Sequence, residues 1–249
     1  MIRPDLSWLT SRPIAHRGFH NLAKGIPENT LRAAEEAVKK SLPIECDVQL
    51  TSDGEAVVFH DDELDRLAGV AGRVADQSLR EMRRLRIGGT DSAPPSLAEL
   101  LDFIAGRVPL LIELKSHGRP GALEDVVLRD LRAYAGAAAV LSFSPRSVRW
   151  FRRHAPDIVR GQIAGSYHRR GGGIGPLGRF ARRHLLTLAT SRPHFVAHEL
   201  TCLDLPSSRL WRRFGGPLLA WTARSADEFE AALHLADNVI FEGFGPPAG

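Results

Sequence analysis

Residues 43–61, PIECDVQLTSDGEAVVFHD, predict the element on which the rest of the fold is built: a strand, a tight turn and a returning strand. Asp53-Gly54 between two alternating apolar runs is a strong signal for a hairpin loop. With these two residues as the loop, His60 is expected opposite Asp47. The stretch therefore predicts an antiparallel hairpin with a defined pairing.

One face of this hairpin is predicted to carry ionisable side chains. Residues directly opposite each other share a face of a sheet, and so do residues two apart on one strand. Glu45, Asp47 and His60 should therefore lie together, whereas Cys46 and Phe59 point into packing on the other side. Two carboxylates and an imidazole make a poor core, but they suit a metal site or an acid–base site.

Beyond the hairpin, apolar strands alternate with helical segments. The expected strands lie at residues 109–115, 138–143, 158–163, 195–199, 217–221 and 238–242. A short strand before His16 and the first arm of the hairpin bring the number to eight. Such alternation favours a parallel sheet, and 249 residues match the about 250 of a typical barrel. The sequence predicts an α/β fold, a (β/α)8 TIM barrel forming a single domain over residues 1–249, with a small insertion at residues 55–90.

Composition narrows the class of protein. The chain is 43% hydrophobic and 25% charged, which is typical of a globular protein and excludes a disordered one. An apolar leader and a run of about 18 apolar residues are both lacking, so neither a secretory signal nor a membrane span is expected. Two cysteines give no disulfide framework, and a cytoplasmic location is expected. The net charge of +4 favours anionic partners, unless it is only a solvated basic surface; no nucleic-acid partner is expected.

Three carboxylates are candidates for metal ligands. In a barrel, functional side chains come from the carboxyl ends of the strands. Glu45 and Asp47 lie in the second strand, and Glu113 lies in the third. A lone carboxylate is more often a surface ion pair, but three at one barrel mouth favour a hard cation. Mg²⁺ and Ca²⁺ both prefer such oxygen ligands, whereas Zn²⁺ is not expected because Cys46 should face away.

The remaining candidates carry protons or bind phosphate. His16 and His60 have an unperturbed pKa of about 6.5, so either can donate or accept a proton near neutrality. Arg17 can hold a phosphate by a forked pair of hydrogen bonds, and Lys115 adds a point charge. Trp221, which ends the seventh strand, either packs in the barrel or contacts a ligand.

Taken together, the motifs of this chain resemble the glycerophosphodiester phosphodiesterase family over nearly its whole length. The shared motifs, in order, are His16-Arg17-Gly18, Pro27-Glu28-Asn29-Thr30, Glu45-Cys46-Asp47-Val48, Asp53-Gly54, His60-Asp61, Glu113-Leu114-Lys115 and Trp221-Thr222. Any one of these motifs is weak alone, whereas the set is highly specific.

The resemblance implies a barrel with a small insertion after its second strand. It also implies a divalent cation, Mg²⁺ or Ca²⁺, held by Glu45, Asp47 and Glu113, and catalysis by His16 and His60. The implied reaction is hydrolysis of a small glycerophosphodiester to sn-glycerol 3-phosphate and an alcohol, through a cyclic phosphate intermediate. A role in lipid and glycerol metabolism is expected with it.

The chain departs from the family pattern at the substrate-facing rim. Ala223 and Arg224 follow the Trp-Thr pair, the last strand ends in Glu242-Gly243, and residues 166–183 match no family motif. Two alternatives to the glycerophosphodiester reaction are therefore kept. One is a lysophospholipase D or sphingomyelinase D-like activity, which an apolar rim would favour and a narrow polar pocket would disfavour. The other is a catalytically silent anion-binding barrel.

Residues 166–183 carry five arginines among glycines and apolar side chains: Arg169, Arg170, Arg179, Arg182 and Arg183. They follow the fifth strand, so they are expected at the catalytic mouth of the barrel. The segment is either a plain connector or a lid or edge that draws an anionic substrate or an anionic membrane surface. The sequence indicates no oligomeric state.

Overall fold

The computed structural model of the chain describes residues 4–116, 118–166 and 174–246. Within these residues the strands are β1 (Ile14–Ala15), β2 (Ile44–Leu50), β3 (Ala56–Val58), β4 (Leu110–Leu114), β5 (Ala138–Ser142), β6 (Val159–Ala164), β7 (Phe195–Glu199), β8 (Leu218–Ala223) and β9 (Asn238–Phe241). Their hydrogen-bonded order is β1-β9-β8-β7-β6-β5-β4-β2-β3, and β1 also pairs with β2. Without the antiparallel β3, the order returns on itself. The predicted eight-stranded (β/α)8 barrel is confirmed.

Helices alternate with these strands. They are α1 (Leu31–Lys39), α2 (Asp65–Ala68), α3 (Leu79–Met82), α4 (Leu97–Ile104), α5 (Ala122–Arg132), α6 (Pro145–His154), α7 (Pro176–Arg183), α8 (Leu188–Ser191), α9 (Pro206–Phe214) and α10 (Ala226–Leu235). Thr30 caps α1 by accepting a hydrogen bond from Ala33 N, and Ser96 begins α4 in a capping box with Glu99. None of the described helices combines the length and the apolar character that crossing a bilayer requires.

Contacts within the chain divide it into two compact units, so the prediction of one domain over residues 1–249 stays a prediction. One unit comprises Ala15–Val140, and the other comprises Met1–Ile14 and Leu141–Gly249. In the first unit, β2 lies between β1 and β4 with parallel pairing on both sides. Asp47 pairs with Glu113 in this register. The sheet backbone itself therefore sets two carboxylates side by side.

The hairpin forms, but its register differs by one residue from the predicted pairing. Val48 pairs with Val58, and Thr51 N donates to Glu55 O at 2.9 Å, which leaves three residues in the loop. Gly54 ends that loop in the left-handed conformation, with φ at 81°. A three-residue loop with glycine in this position is a common hairpin connection. The Asp-Gly signal located the turn correctly but did not fix its length.

The predicted pairing of His60 with Asp47 is therefore wrong. Phe59 lies opposite Asp47 instead, and Phe59 N donates to Asp47 O at 3.0 Å. Because β3 ends at Val58, the chain leaves the regular pleat before His60. The direction of the His60 side chain is set by the residues beyond the strand, not by strand alternation.

Residues 55–90 build a small core of their own beside the sheet. Helices α2 and α3 and the 3₁₀ turns Val74–Asp76 and Ile87–Gly89 lie in this segment. Its buried side chains form one apolar cluster: Val57, Phe59, Leu64, Leu67, Val74, Met82 and Ile87. Such a satellite cluster gives the segment fixed side-chain positions.

In the second unit, strands β6 to β9 pair in parallel. His198 in β7 is fully buried, and its Nδ1 lies 2.8 Å from Ser208 Oγ. Ser208 Oγ donates its own proton to Cys202 O at 2.9 Å, so the imidazole donates to the hydroxyl. Burial lowers the pKa of His198 to about 4. This histidine is therefore neutral and belongs to the packing.

Candidate metal centre and active site

Three buried carboxylates lie together in the first unit. Glu45 and Asp47 are two residues apart on β2 and so share a face, and Glu113 is the partner of Asp47 on β4. One carboxylate oxygen from each residue lies within 4.8 Å of the others. Like charges at this distance repel strongly where water is excluded, so the cluster needs cations around it.

Lys115 and Arg17 supply positive charge to the cluster. Lys115 Nζ lies 2.6 Å from Glu113 Oε1 and 2.8 Å from Asp47 Oδ1, and Arg17 Nε lies 3.3 Å from Asp47 Oδ2. Burial alone would lower the pKa of Lys115, but the attraction of Asp47 and Glu113 raises it. Both predicted phosphate-binding side chains are therefore charged and already engaged with carboxylates.

The carboxylates differ in how well their charge is stabilised. Burial raises the pKa of Glu45 well above its ordinary value, and repulsion from Asp47 and Glu113 adds to this. Burial also acts to raise the pKa of Asp47, but the attraction of Lys115 and Arg17 outweighs it and lowers that pKa. The negative charge of Glu45 thus costs the fold more than that of Asp47.

Asn29 and Glu28 complete the surroundings; the sequence offered Asn29 only as an alternative helix cap to Thr30 and assigned Glu28 no role in the site. Asn29 Nδ2 donates to Asp47 Oδ2 at 2.8 Å, and Asp47 N donates to Asn29 Oδ1 at 3.2 Å. Arg17 Nη1 donates to Glu28 Oε1 at 2.6 Å. Thr30 alone caps the following helix, which leaves the two residues before it free for the site. The sequence signal for Glu28 and Asn29 was their place in the Pro-Glu-Asn-Thr motif, which did not specify their contacts.

The cluster fits a hard divalent cation. Its donor set is three carboxylates, and oxygen ligands of this kind suit Mg²⁺ and Ca²⁺. Asp47 Oδ1 is buried with Lys115 Nζ at 2.8 Å, and because a carboxylate oxygen has two lone pairs, one stays open beside this contact. An oxygen with an open lone pair inside an acidic cluster is what a cation ligand requires.

His60 is held in a defined protonation state. Its Nδ1 lies 2.6 Å from Asp61 Oδ1, and because a carboxylate only accepts, Nδ1 carries the proton. Burial lowers the pKa of His60; Lys115 and Arg17 act in the same direction, while Asp47 and Asp61 act against it. The ring is therefore neutral near pH 7, and its Nε2 presents a lone pair.

His16 follows directly on β1. Its Nε2 lies 3.9 Å from Glu45 Oε2, and the next residue, Arg17, donates from its backbone N to the same oxygen at 3.2 Å. The unit thus brings together seven of the eight predicted site residues: His16, Arg17, Glu45, Asp47, His60, Glu113 and Lys115. The roles predicted for them remain to be tested.

Comparison with known proteins gives the family. A sequence model of the Glycerophosphoryl diester phosphodiesterase family matches residues 16–234. The chain belongs to this family. A glycerophosphodiester phosphodiesterase of Arabidopsis thaliana is 30% identical over 254 residues, which cover 96% of this chain and 73% of the relative. One from Caldanaerobacter subterraneus is 36% identical over 162 residues, covering 60% of this chain and 65% of the relative.

Solved structures agree on the fold of the family. An Oleispira antarctica phosphodiesterase, solved in complex with the product sn-glycerol-3-phosphate, is 22% identical with a TM-score of 0.77, covering 94% of this chain and 93% of that one. The chain spans 62% and 65% of the length of two bacterial relatives that it matches.

Trp221, the eighth predicted site residue of this family member, lies in the second unit. Its Nε1 donates to Ala164 O at 3.2 Å and to Ala197 O at 3.1 Å, and its ring meets Phe143 edge to face at 5.4 Å. The only donor of the indole is thus used by main-chain carbonyls. Its predicted contact with substrate stays a prediction.

A cavity of about 370 Å³ adjoins Lys115 in the first unit. Its lining mixes apolar and polar groups; the polar ones include Thr51, Ser52, Ser116, Arg119 and Glu124. The other described residues around it are Gln49, Leu50, Ala75, Ala122 and Leu123. No aromatic side chain is among the described lining residues, and Lys115 is the one predicted site residue among them.

The arginine-rich segment is described only in part. Residues 167–173, with Arg169 and Arg170, lie outside the described residues. Of the arginines in α7, Arg182 Nη1 donates to Phe143 O at 3.1 Å, whereas Arg179 is exposed. Leu177 and Phe180 are also exposed, by 81% and 53%. Helix α7 thus presents apolar and basic side chains to solvent.

Neutralising Glu45 should stabilise the metal-free protein. In the fold its pKa is raised, so at pH 7, above its ordinary pKa, the buried charge opposes folding. Glu45→Gln removes that charge, and a gain of about 1 kcal/mol would raise the melting temperature by roughly 2–4 °C. Asp47→Asn should lower it, because the charge of Asp47 is stabilised in the fold. Both substitutions should weaken Mg²⁺ binding by about tenfold or more, since even outer-shell partners typically contribute that much.

Thermal unfolding in EDTA and calorimetric Mg²⁺ titration measure the two effects. Exposed Glu63→Gln is the control and should change neither. A Glu45→Gln variant that melts below the parent in EDTA, or that binds Mg²⁺ as the parent does, would contradict the prediction.

Proposed function

We propose that this chain hydrolyses glycerophosphodiesters to sn-glycerol 3-phosphate and an alcohol, with a divalent cation bound by Glu45, Asp47 and Glu113. The observation that carries the proposal is the buried acidic cluster, whose oxygens lie within 4.8 Å of one another. Charged Arg17 and Lys115 and the neutral imidazole of His60 surround it. Membership of the family supports the same reaction.

A deacylated substrate is favoured over a lysolipid. The described lining of the cavity beside Lys115 includes the hydroxyls of Thr51, Ser52 and Ser116 and the charged groups of Arg119 and Glu124, which can bind a polar glycerol or head group. The Oleispira relative was solved with sn-glycerol-3-phosphate, the product proposed here. A lysophospholipase D-type activity on the same residues is therefore the second candidate and is tested by the same assay.

The charged residues would bind the reacting phosphate. The cation would polarise a phosphate oxygen and lower the pKa of the attacking hydroxyl. Arg17 presents a forked donor and Lys115 a point charge, and both would stabilise the negative charge that builds on phosphorus. Glu28 holds Arg17 at 2.6 Å, which fixes the direction of its guanidinium.

The two histidines would move the protons. Neutral His60, fixed by Asp61, accepts the proton of the glycerol hydroxyl at Nε2 as that oxygen bonds to phosphorus. His16 donates a proton to the departing alcohol oxygen as its bond to phosphorus breaks. Water then opens the cyclic phosphate with the roles exchanged: His16 takes a proton from water, and His60 returns one to the glycerol oxygen. Protons balance over the cycle, and both side chains return to their initial states.

We also propose that α7 makes peripheral contact with anionic membranes. Leu177 and Phe180 lie three residues apart and hence on one side of the helix, and exposed Arg179 projects about 100° round the helix from Phe180, at the flank of that apolar side. Apolar side chains beside a cation suit the boundary between acyl chains and anionic headgroups. This contact is separate from the catalytic proposal.

Turnover should require a divalent cation. Glycerophosphocholine is incubated with the protein, and released sn-glycerol 3-phosphate is measured by a coupled assay. Activity should disappear after exhaustive EDTA treatment and dialysis, because carboxylate sites yield their ion to chelators. Adding Mg²⁺ or Ca²⁺ in turn should restore it and identify the preferred ion.

The same assay with lysophosphatidylcholine separates the candidates. Faster release of choline from the lysolipid would favour the lysophospholipase D-type activity. Full turnover of glycerophosphocholine after removal of metal would contradict the cation requirement, and no turnover of either substrate would sink the proposed function.

His16→Ala and His60→Ala should each lower kcat by about 10²- to 10⁴-fold, the typical contribution of one general acid or base. Thermal unfolding should show that both variants still fold. His234→Ala, at an exposed position of α10, is the control and should keep the parent rate. If either site variant turns over near the rate of the parent, the two-histidine scheme is wrong.

Binding to anionic vesicles should depend on α7. The triple variant Leu177→Ser, Arg179→Gln, Phe180→Ser should bind vesicles containing phosphatidylglycerol at least about fivefold more weakly, because one basic residue near such a surface contributes about 1 kcal/mol. Leu210→Ser with Phe214→Ser on α9, also exposed apolar residues, is the matched control. Vesicle sedimentation at low and high salt measures the effect. Equal binding by the parent and the α7 variant would reduce α7 to a connector.

A further inference from the structure

Arg66 lies on α2, outside the set of residues assigned above, and contacts two carboxylates at once. Its Nε lies 2.5 Å from Asp61 Oδ2. Its Nη2 and Nη1 lie 3.0 Å and 3.3 Å from Glu28 Oε1 and Oε2. The guanidinium thus donates from Nη1 and Nη2 to the Glu28 carboxylate and from Nε to the Asp61 carboxylate. Its planar set of donors allows this arrangement, which a lysine cannot reproduce.

Each of these carboxylates has its other contact inside the site. Asp61 Oδ1 accepts from His60 Nδ1 at 2.6 Å, and Glu28 Oε1 accepts from Arg17 Nη1 at 2.6 Å. Arg66 is therefore one step removed from both the proposed base and the proposed phosphate-binding arginine. Thirty-eight residues separate Glu28 from Arg66 in the chain, so this contact ties segment 55–90 to the loop before α1.

The charge of Arg66 bears on the state of both partners. The guanidinium of Arg66 and the imidazole of His60 together offset the burial of Asp61 and lower its pKa. Without Arg66, His60 would be the nearest counter-charge for Asp61, which favours an imidazolium that cannot accept a proton. Glu28 would likewise lose one of two cations and would hold Arg17 in a less defined direction.

We propose that Arg66 is a positioning residue that sets the tautomer and orientation of His60 through Asp61 and the direction of Arg17 through Glu28. This inference rests on the proposed function, in which His60 and Arg17 act on the substrate. Arg66 itself is half-exposed, at 49%, whereas Glu28 and Asp61 are exposed by 13% and 22%. A half-exposed ion pair contributes little to stability, so removal of Arg66 should change the site more than the fold.

Arg129 on α5 provides a matched control. It too contacts two carboxylates, with Nη2 at 2.8 Å from Glu55 Oε2 and Nε at 2.8 Å from Asp130 Oδ1. Its side chain is 54% exposed, close to the value for Arg66. Neither partner of Arg129 contacts a residue of the site in the described structure. A general effect of losing a bridging arginine would therefore appear in both variants.

The experiment compares Arg66→Gln and Arg66→Lys with Arg129→Gln and Arg129→Lys in the full chain with Mg²⁺. Arg66→Gln should lower kcat for glycerophosphocholine by about 10- to 100-fold, the usual effect of losing an outer-shell partner. Arg66→Lys should recover part of this loss, because one ammonium reaches one carboxylate only. Both Arg129 variants should match the parent, and all four should melt within a few degrees of it.

Nitrogen-15 chemical shifts of the His60 ring give a readout that a merely structural role would not move. The ring signals are assigned by their loss in His60→Ala. The parent and Arg129→Gln should show protonated Nδ1 and unprotonated Nε2 at pH 7. Arg66→Gln should show a mixture of tautomers or an imidazolium.

Two results would overturn the inference: the same kcat in Arg66→Gln and Arg129→Gln, or the same His60 ring signals in both. If Arg66→Gln does not fold, Arg66→Lys against Arg129→Lys decides, and equal kcat overturns the inference. A parent that turns over no glycerophosphodiester refutes the proposed function instead. The ring signals then still decide whether Arg66 positions His60.

Discussion

The structure of the site depends on one electrostatic constraint: three carboxylates share a buried space in which their ligand oxygens lie within 4.8 Å. The parallel register of β2 and β4 imposes this crowding, since it places Asp47 beside Glu113 with no loop between them to relax. Repulsion in a space without water is then unavoidable. Lys115, Arg17 and Asn29 are all placed where they stabilise Asp47. Glu45 receives less: Arg17 N donates to its Oε2 at 3.2 Å, and His16 Nε2 lies 3.9 Å from the same oxygen.

The response to this constraint extends outward as alternating charges. Arg17 pairs with buried Asp47, Glu28 pairs with Arg17, and Arg66 pairs with Glu28. The series begins at a side chain that is 1% exposed and ends at one that is half-exposed. Each of the two arginines thus lies between two carboxylates, and the outer one, Arg66, is exposed enough for water to solvate it. A site assembled in this way is rigid because no inner member can turn without leaving a charge unpaired.

Much of the fold could be read from sequence, because alternation of apolar strands and amphipathic helices is a local property. The proximity of Glu45 and Asp47 could be predicted too, since residues two apart on a strand must share a face whatever the register. The register of the hairpin could not be predicted from the sequence. Thr51 Oγ1 accepts from Glu55 N at 3.0 Å and donates to Asp53 Oδ1 at 2.6 Å, and these side-chain bonds stabilise the wider loop. A rule based on Asp-Gly alone does not weigh such contacts.

The contacts of Glu28, Asn29 and Arg66 were beyond the reach of sequence for a different reason. Each of these side chains acts through a partner 11 to 38 residues away. Propensity assigns Asn29 equally well to a helix cap, and only the observed cap at Thr30 removes that role. In the sequence alone, Arg66 is only one basic residue in a polar segment. Its importance appears only when α2 is seen packed beside the loop that carries Glu28.

The acidic cluster and His60 are therefore held in place by different parts of the fold. The carboxylates stand on β2 and β4, whose backbone hydrogen bonds fix them to the sheet. His60 and Arg66 stand on segment 55–90, beyond the end of β3, where Phe59 and Leu64 anchor the chain in the small apolar cluster. For this reason the one-residue difference in hairpin register has little effect on the position of His60. Its side chain is oriented by Asp61 and by the apolar cluster, not by the alternation of side chains along β3. The segment after the second strand is thus part of the scaffold of the candidate site, and its small core must be kept for His60 to stay beside the carboxylates.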